Sequence, residues 1–235
     1  MKLLLKKKPR NVTIIEGFPG FGLIGTIATE FLMEHLKMEK IGTIEMDEIP
    51  AMVAIHQNKV IDPVSVHYNK EYNIVILHAI NIGKDLGWKI ADVVLQLAKE
   101  LNAKEIISLE GVGSPNPDAG RVFFYSNGLG ASNQELSKFA KPLMEGIIVG
   151  VTGALLAKDV KTSLVAFFAE AQSNLPDSKA AAEIIKALDA YTGLNVDPKP
   201  LLKQAEAFEG KLKGILEKSQ KAERIQEDKK LSYVG

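Results

Sequence analysis

Apolar residues in this chain fall into short β-branched runs separated by longer stretches of helical period, and that alternation predicts its elements. Residues 11–16, NVTIIE, read as a strand and 26–36, TIATEFLMEHL, as an amphipathic helix. A strand-rich region follows: KIGTIEM, MVAIHQN, VIDPVSVHYN and EYNIVILHAI, with Asn58-Lys59 and Asn69-Lys70-Glu71 as hairpin turns. Over 87–101, Ile90, Val93, Val94, Leu97 and Leu101 share one helical face. Strands are predicted at 104–111 and 121–127, a buried helix at 146–159, and a central strand at 163–171. Leu175-Pro176-Asp177-Ser178 then opens a helix through Tyr191, with Ser178 as its N-cap.

Helices set between apolar strands predict an α/β fold. The arrangement is a three-layer sandwich around a mixed, mostly parallel sheet, with antiparallel hairpins between about 44 and 80. Residues 1–195 make up this core, and 196–235 a C-terminal arm that begins at the proline-marked break NVDPKP. Within the arm Leu201, Ala205, Phe208, Leu212, Ile215, Ser219 and Ala222 follow one another at 4, 3, 4, 3, 4, 3, a heptad seam. The mostly charged run from Lys218 to Lys230 predicts a projecting helix, which closes on the uncharged LSYVG.

Charge removes some partners from consideration. Lys+Arg and Asp+Glu both number 29, so no net charge draws the protein to nucleic acid or an anionic membrane. The basic start, Lys2 to Arg10, reads as a solvated terminus. With no cysteine, disulfides, thiolate metal sites and thiol nucleophiles are excluded. MKLLLKKKP is too short an apolar run for a signal peptide, and nothing later reaches a membrane span of about 18 apolar residues, so a cytoplasmic protein is expected.

Candidate chemistry centres on IEGFPGFGLIGT, where Gly20, Gly22 and Gly25 spell G-x-G-x-x-G. Glu45 and Asp47 stand about where a dinucleotide fold places its ribose-binding acid. Against a cofactor, Gly17-Phe18-Pro19 separates the strand from the first motif glycine, and Phe18 and Phe21 bring rings to where a phosphate would lie. The favoured reading is a tight strand-to-helix crossover, with no cofactor. Asp85 and Glu110 are acid–base candidates at strand ends, with capping of the next helix and binding of turn amides as their plainer roles. His35, His56, His67 and His78 show no metal-ligand spacing, so no metal is expected. Ser108 and Ser114 lie outside any G-x-S-x-G, and Ser114-Pro115-Asn116-Pro117-Asp118 is a turn-rich loop. The alternative to a binding protein is therefore a nucleotide- or nucleoside-binding enzyme using Gly20, Gly22 or Gly25 with Asp85 or Glu110.

EGFPGFGLIGTIATEFL, the helix after NIGKDLGW, and SLEGVGS closing a strand together resemble archaeal homologues of proteasome-assembling chaperones, over residues 10 to 195. Such proteins often carry an ATP-grasp label, yet no ligase site is legible here. The resemblance implies a fold like that of purine nucleoside phosphorylases without their catalytic set. It also implies a homo-oligomer, most simply a tetramer, that binds 20S proteasome α subunits and turns nothing over. Some members activate the proteasome without ATP through a tail ending hydrophobic–Tyr–X. The corresponding residues are Leu231, Tyr233, Val234 and Gly235, with Tyr233 third from the end, displaced by one from the family pattern.

Overall fold

The computed structural model describes residues 2–48, 54–56, 59–80, 82, 85–113, 121–171 and 175–203, with 205, 209, 210, 213, 214 and 217 beyond them. Strands β1 (Lys2–Leu5), β2 (Thr13–Gly17), β3 (Glu39–Glu45), β4 (Ala54–His56), β5 (Lys59–Ile61), β6 (Val64–Asn69) and β7 (Ile74–Ala79) fill the first third. They are followed by β8 (Glu105–Gly113), β9 (Val122–Ser126), β10 (Lys141–Pro142) and β11 (Ser163–Ala171). The helices are α1 (Ile24–His35), α2 (Gly87–Glu100), α3 (Asn133–Leu136), α4 (Gly150–Ala157), α5 (Ser178–Thr192) and α6 (Lys199–Lys203).

Nine strands form one sheet in the order β1-β3-β6-β7-β2-β8-β11-β9-β10, while β4 and β5 pair separately. At its centre β7, β2, β8 and β11 run parallel. On the β7 side the pairings β7–β6, β6–β3 and β3–β1 are antiparallel, and on the other side β11–β9 is. The sheet is therefore mixed, with a four-strand parallel run in the middle and one further short parallel pair, β9–β10, at the edge. The short turn between Asn69 and Ile74 makes β6 and β7 antiparallel neighbours, while helical crossovers allow the parallel neighbours at the centre.

Each face of the sheet has its own core. Alternating side chains of the central strands send Ile15, Ile107, Val165 and Phe167 to the face covered by α1 and α5. Ile14, Ile106, Val75 and Leu164 point to the face covered by α2 and α4. Burial on both sides explains why β2 and β7 are buried along their whole length.

Several local expectations shift. The basic start is the edge strand β1, pinned by Lys7 on Glu39 at 2.7 Å and Lys8 on Glu100 at 2.8 Å. Asp177, rather than Ser178, caps α5, its carboxylate accepting from Ala180 N at 2.9 Å. Of the apolar run 146–159 only Gly150–Ala157 is helical. Gly150 has φ +76, a left-handed conformation that stops the helix from extending backwards. Ahead of it Met144, Ile147 and Val149 are exposed, so an apolar run read as buried helix is partly a surface strip. The arm starts inside the core: Leu201 is buried against it, and Glu209 accepts from Ser178 N at 2.9 Å.

Candidate functional site

The carboxyl ends of β2, β8 and β11 meet the glycine loop, the place where parallel α/β sheets usually hold ligands. Here that space is filled by the chain itself. A Cβ on Gly17 would stand 2.2 Å from Gly25 O, one on Gly25 2.2 Å from Leu109 O, and one on Gly111 2.0 Å from Phe21 O. The glycines thus let the start of α1 touch the backbones of β2 and β8 directly. Gly22 has a second role, since its φ of +66 turns the loop into the helix. Phe18 is buried in the α2/α4 core while Phe21 packs on the opposite one, so the two rings clamp the loop from both faces.

Glu110 occupies the position an anion would take. Its Oε1 accepts from Gly111 N at 3.0 Å, and a Cβ on Gly20 would lie 2.0 Å from that oxygen. A hydrogen bond from the Phe21 backbone also favours its charged form. Burial outweighs these bonds and lifts its carboxyl to about 7. This is the amide-binding role anticipated for Glu110, and it leaves the loop amide at Phe21 turned to a resident carboxylate instead of a phosphate.

A second acid, Glu16, lies beneath the same rim. Glu16, Ser108 and Glu110 alternate onto the α4 side of their strands, where Thr152 of α4 meets them. Ser108 Oγ hydrogen bonds to Glu16 Oε1 and lies 2.8 Å from Thr152 Oγ1, and Thr152 reaches Glu110 Oε2 at 3.3 Å. Glu16 is fully buried, and among the described residues its Oε2 has no hydrogen-bond partner. Desolvation, countered by the Ser108 bond and reinforced by the Glu110 charge, raises Glu16 to about 8. At neutral pH this quartet is a chain of proton-holding oxygens closed to solvent at Glu16.

The histidines divide by strand. His78 on β7 faces α1, with Nδ1 2.8 Å from Thr29 Oγ1 and Nε2 3.1 Å from Glu30 Oε2. The Glu30 distance is that of an ion pair whose angle falls short of a hydrogen bond. His67 lies 3.0 Å from Ser65 Oγ, and burial, followed by the nearby charge of His78, lowers it to about 4. His35 stacks on Phe31 at 5.5 Å. These are hydrogen-bonded or stacked structural histidines, and among the described residues no three metal-ligating side chains converge.

Other candidates fall apart in space. Glu45 ends β3, which β7 and β6 separate from β2, so it is no neighbour of the glycine loop. Asp85 is exposed with φ +60, and the N-cap of α2 is Leu86, with no side-chain cap, so the capping role expected of Asp85 is not made. The side chain of His56, the loop Ser114 to Asp118, and Leu231, Tyr233, Val234 and Gly235 lie outside the described residues. On the far side of the rim Arg121 makes a bidentate pair with Glu170, at 2.7 and 2.9 Å. Glu16 and Thr152 escaped the sequence reading. The signal was there for Glu16, an acid in an otherwise apolar central strand, which demands a polar partner.

A mixed α/β sheet whose glycine loop is closed on its own backbone, with two buried acids beneath it, defines a structural core more readily than an active site. The chain belongs to the PAC2 family, whose model matches residues 14–216. It is 30% identical over 225 residues to an uncharacterised protein of Methanocaldococcus jannaschii, covering 92% of this chain and 91% of that one. Among solved structures it is similar to Pyrococcus furiosus PbaA, an archaeal homologue of proteasome-assembly chaperone, at 32% identity and TM-score 0.81, covering 94% of this chain and 99% of PbaA. It shares a fold with P. furiosus PbaB, an archaeal proteasome activator, at 22% identity and TM-score 0.74, covering 91% and 98%. The kinship is thus with PAC2 proteins. An ATP-grasp label finds no support in the geometry of the loop.

Proposed function

We propose that the protein is a non-enzymatic proteasome assembly chaperone or ATP-independent activator that engages 20S α subunits through its C-terminal tail. The observation that carries this reading is the near full-length similarity to PbaA. In this reading residues 1–195 are a core of the purine nucleoside phosphorylase type, and 196–235 an arm that delivers Leu231, Tyr233, Val234 and Gly235. An aromatic anchor such as Tyr233 suits a pocket between subunits, and several arms on one cytoplasmic homo-oligomer, such as a tetramer, would add by multivalency. Exposed Met144, Ile147 and Val149 support self-association, because apolar surface of this kind marks interfaces.

Pull-down of purified 20S particles and of free α subunits tests the proposal, using the full chain and a chain lacking 231–235. Capture that depends on those five residues is the expected result. Capture that survives their loss refutes the tail, and no capture by either chain refutes the proteasome role.

Glu16 and Glu110, both held near neutral pKa, are the one feature that favours the alternative, a nucleotide- or nucleoside-binding enzyme. A thermal-shift panel of nucleotides and nucleosides separates the readings. A ligand at 100 times its Kd adds about 2.7 kcal/mol, whereas a chaperone core shows no shift.

A further inference from the structure

The amino ends of the same parallel strands border a cavity of about 410 Å³. This is within the range of small-molecule sites. Thr13, Glu105 and Ser163 from the starts of β2, β8 and β11 line it, with Tyr72, Tyr191 and Lys104. Glu105 is its organising group. Its Oε1 accepts from Tyr191 Oη at 2.8 Å and Ser163 Oγ at 3.0 Å, and among the described residues its Oε2 accepts no hydrogen bond. One oxygen is thus fixed in place by two hydroxyls while the other is left for a visitor.

Three features make this end of the sheet attractive to a cation. Parallel strands that begin here are matched by helices that end here, and α5 brings its last residues, Tyr191 and Thr192, to the cavity. Helix C-termini carry partial negative charge from their unpaired carbonyls. The Tyr191 phenol is pushed well above its usual range, first by burial and then by the charge of Glu105, with Glu135 adding to it, so the ring stays neutral and keeps donating to Glu105. Two tyrosines on the lining offer aromatic surface, which attracts ammonium groups. Lys104 is the one opposing charge on the lining; it is exposed and makes no ion pair among the described residues.

We propose that this cavity binds a small alkylammonium, with the Glu105 carboxylate as counter-ion and Tyr72 and Tyr191 beside the alkyl chain. The site is separate from the glycine loop, because it lies at the opposite ends of the strands.

Isothermal titration of the full chain with putrescine and with spermidine at low ionic strength tests it, with magnesium chloride as the control for diffuse charge. Saturable submillimolar binding of the amines, without matching binding of magnesium, is expected. Glu105→Gln keeps the acceptor for Tyr191 and Ser163 but removes the charge, and should weaken binding on the order of tenfold or more. Leu129→Trp alters an exposed side chain on the cavity lining and should also weaken binding, which keeps the test decisive if the Glu105 variant fails to fold. Lys104→Ala should tighten binding a few-fold by removing a competing cation. No saturable binding by the unaltered chain, equal binding of magnesium, survival of binding in either weakened variant, or weaker binding on loss of Lys104 would each overturn the proposal.

Discussion

The two ends of the central parallel strands are built on opposite plans. At the carboxyl ends, Gly17, Gly25 and Gly111 remove side chains so that backbone meets backbone, and Glu110 turns inward to the loop amides. At the amino ends, Thr13, Glu105 and Ser163 keep their side chains and surround an open cavity. Ligand sites in α/β folds are expected at the carboxyl ends. Here that end has become packing, which shows that a strand-end glycine motif describes the closeness of two backbones and does not by itself specify a cofactor.

The sharpest way to break this contrast is to put a methyl group between the packed backbones. Gly25→Ala places a Cβ 2.2 Å from Leu109 O, and only a shift of α1 away from β8 can relieve it. A loss on the order of 3 kcal/mol is expected in chemical denaturation. A variant as stable as the parent would mean that the loop is not closed on the strands.

The buried acids come next, and their effect has a sign. Glu16 titrates near 8 and Glu110 near 7 in the native protein, against 4.5 as the ordinary value. Between those values the native state holds protons that the unfolded chain has released. Their contribution is therefore fully present below about 4.5 and is lost as pH rises through about 7 and 8, by up to about 1.4 kcal/mol per pH unit for each group. His67 acts in the other direction and lower down: its native value near 4, against 6.5, removes stability as pH falls below about 6.5. From pH 6.5 to 8 the acids act without it. Glu16→Gln should flatten the fall in stability across that window and gain about 1–3 kcal/mol at pH 8 relative to pH 5. An unchanged slope in urea melts at stepped pH would show that Glu16 is not the buried proton store.

Gly22→Ala probes conformation as well as space. Its φ of +66 strains an alanine, and the new Cβ would meet Ala171 Cβ at 3.1 Å. A loss of about 1–2 kcal/mol is expected, smaller than at Gly25 because no backbone atom blocks the way. The amino end supplies the smallest effect. Leu129→Ser alters an exposed residue of the cavity lining, and thermal melting should place it within about 0.5 kcal/mol of the parent. A larger loss would make that end a packed region too and erase the contrast.

Much of this was legible in the chain. The order of strands and helices followed from apolar period, because hairpin turns and amphipathic faces are local properties. Reading Gly20, Gly22 and Gly25 as a crowded crossover was also within reach, since Gly17-Phe18-Pro19 precedes them and two phenylalanines flank the loop. Other features were not. The run 146–159 has the same composition whether buried or exposed, and only Gly150's left-handed backbone and its neighbours divide it into strip and helix. Nor could spacing bring Thr152 to Ser108, since they lie 44 residues apart and meet only when α4 covers β8.

By itself, then, the sequence determined the α/β class, the absence of thiol chemistry, and a glycine loop set off from its strand by Gly17-Phe18-Pro19. These depend on residue identity and local period. Tertiary structure alone decided that antiparallel pairs flank a parallel run of four strands, with β9–β10 parallel again at the edge. It also decided that Glu110 fills the loop it follows, that Glu16 is stripped of water, and that Glu105 and Tyr191 converge at the opposite end. Each of these depends on which distant strand or helix comes to lie alongside. Hydrogen bonding and desolvation act over a few ångströms of space, and separation along the chain carries no record of that distance.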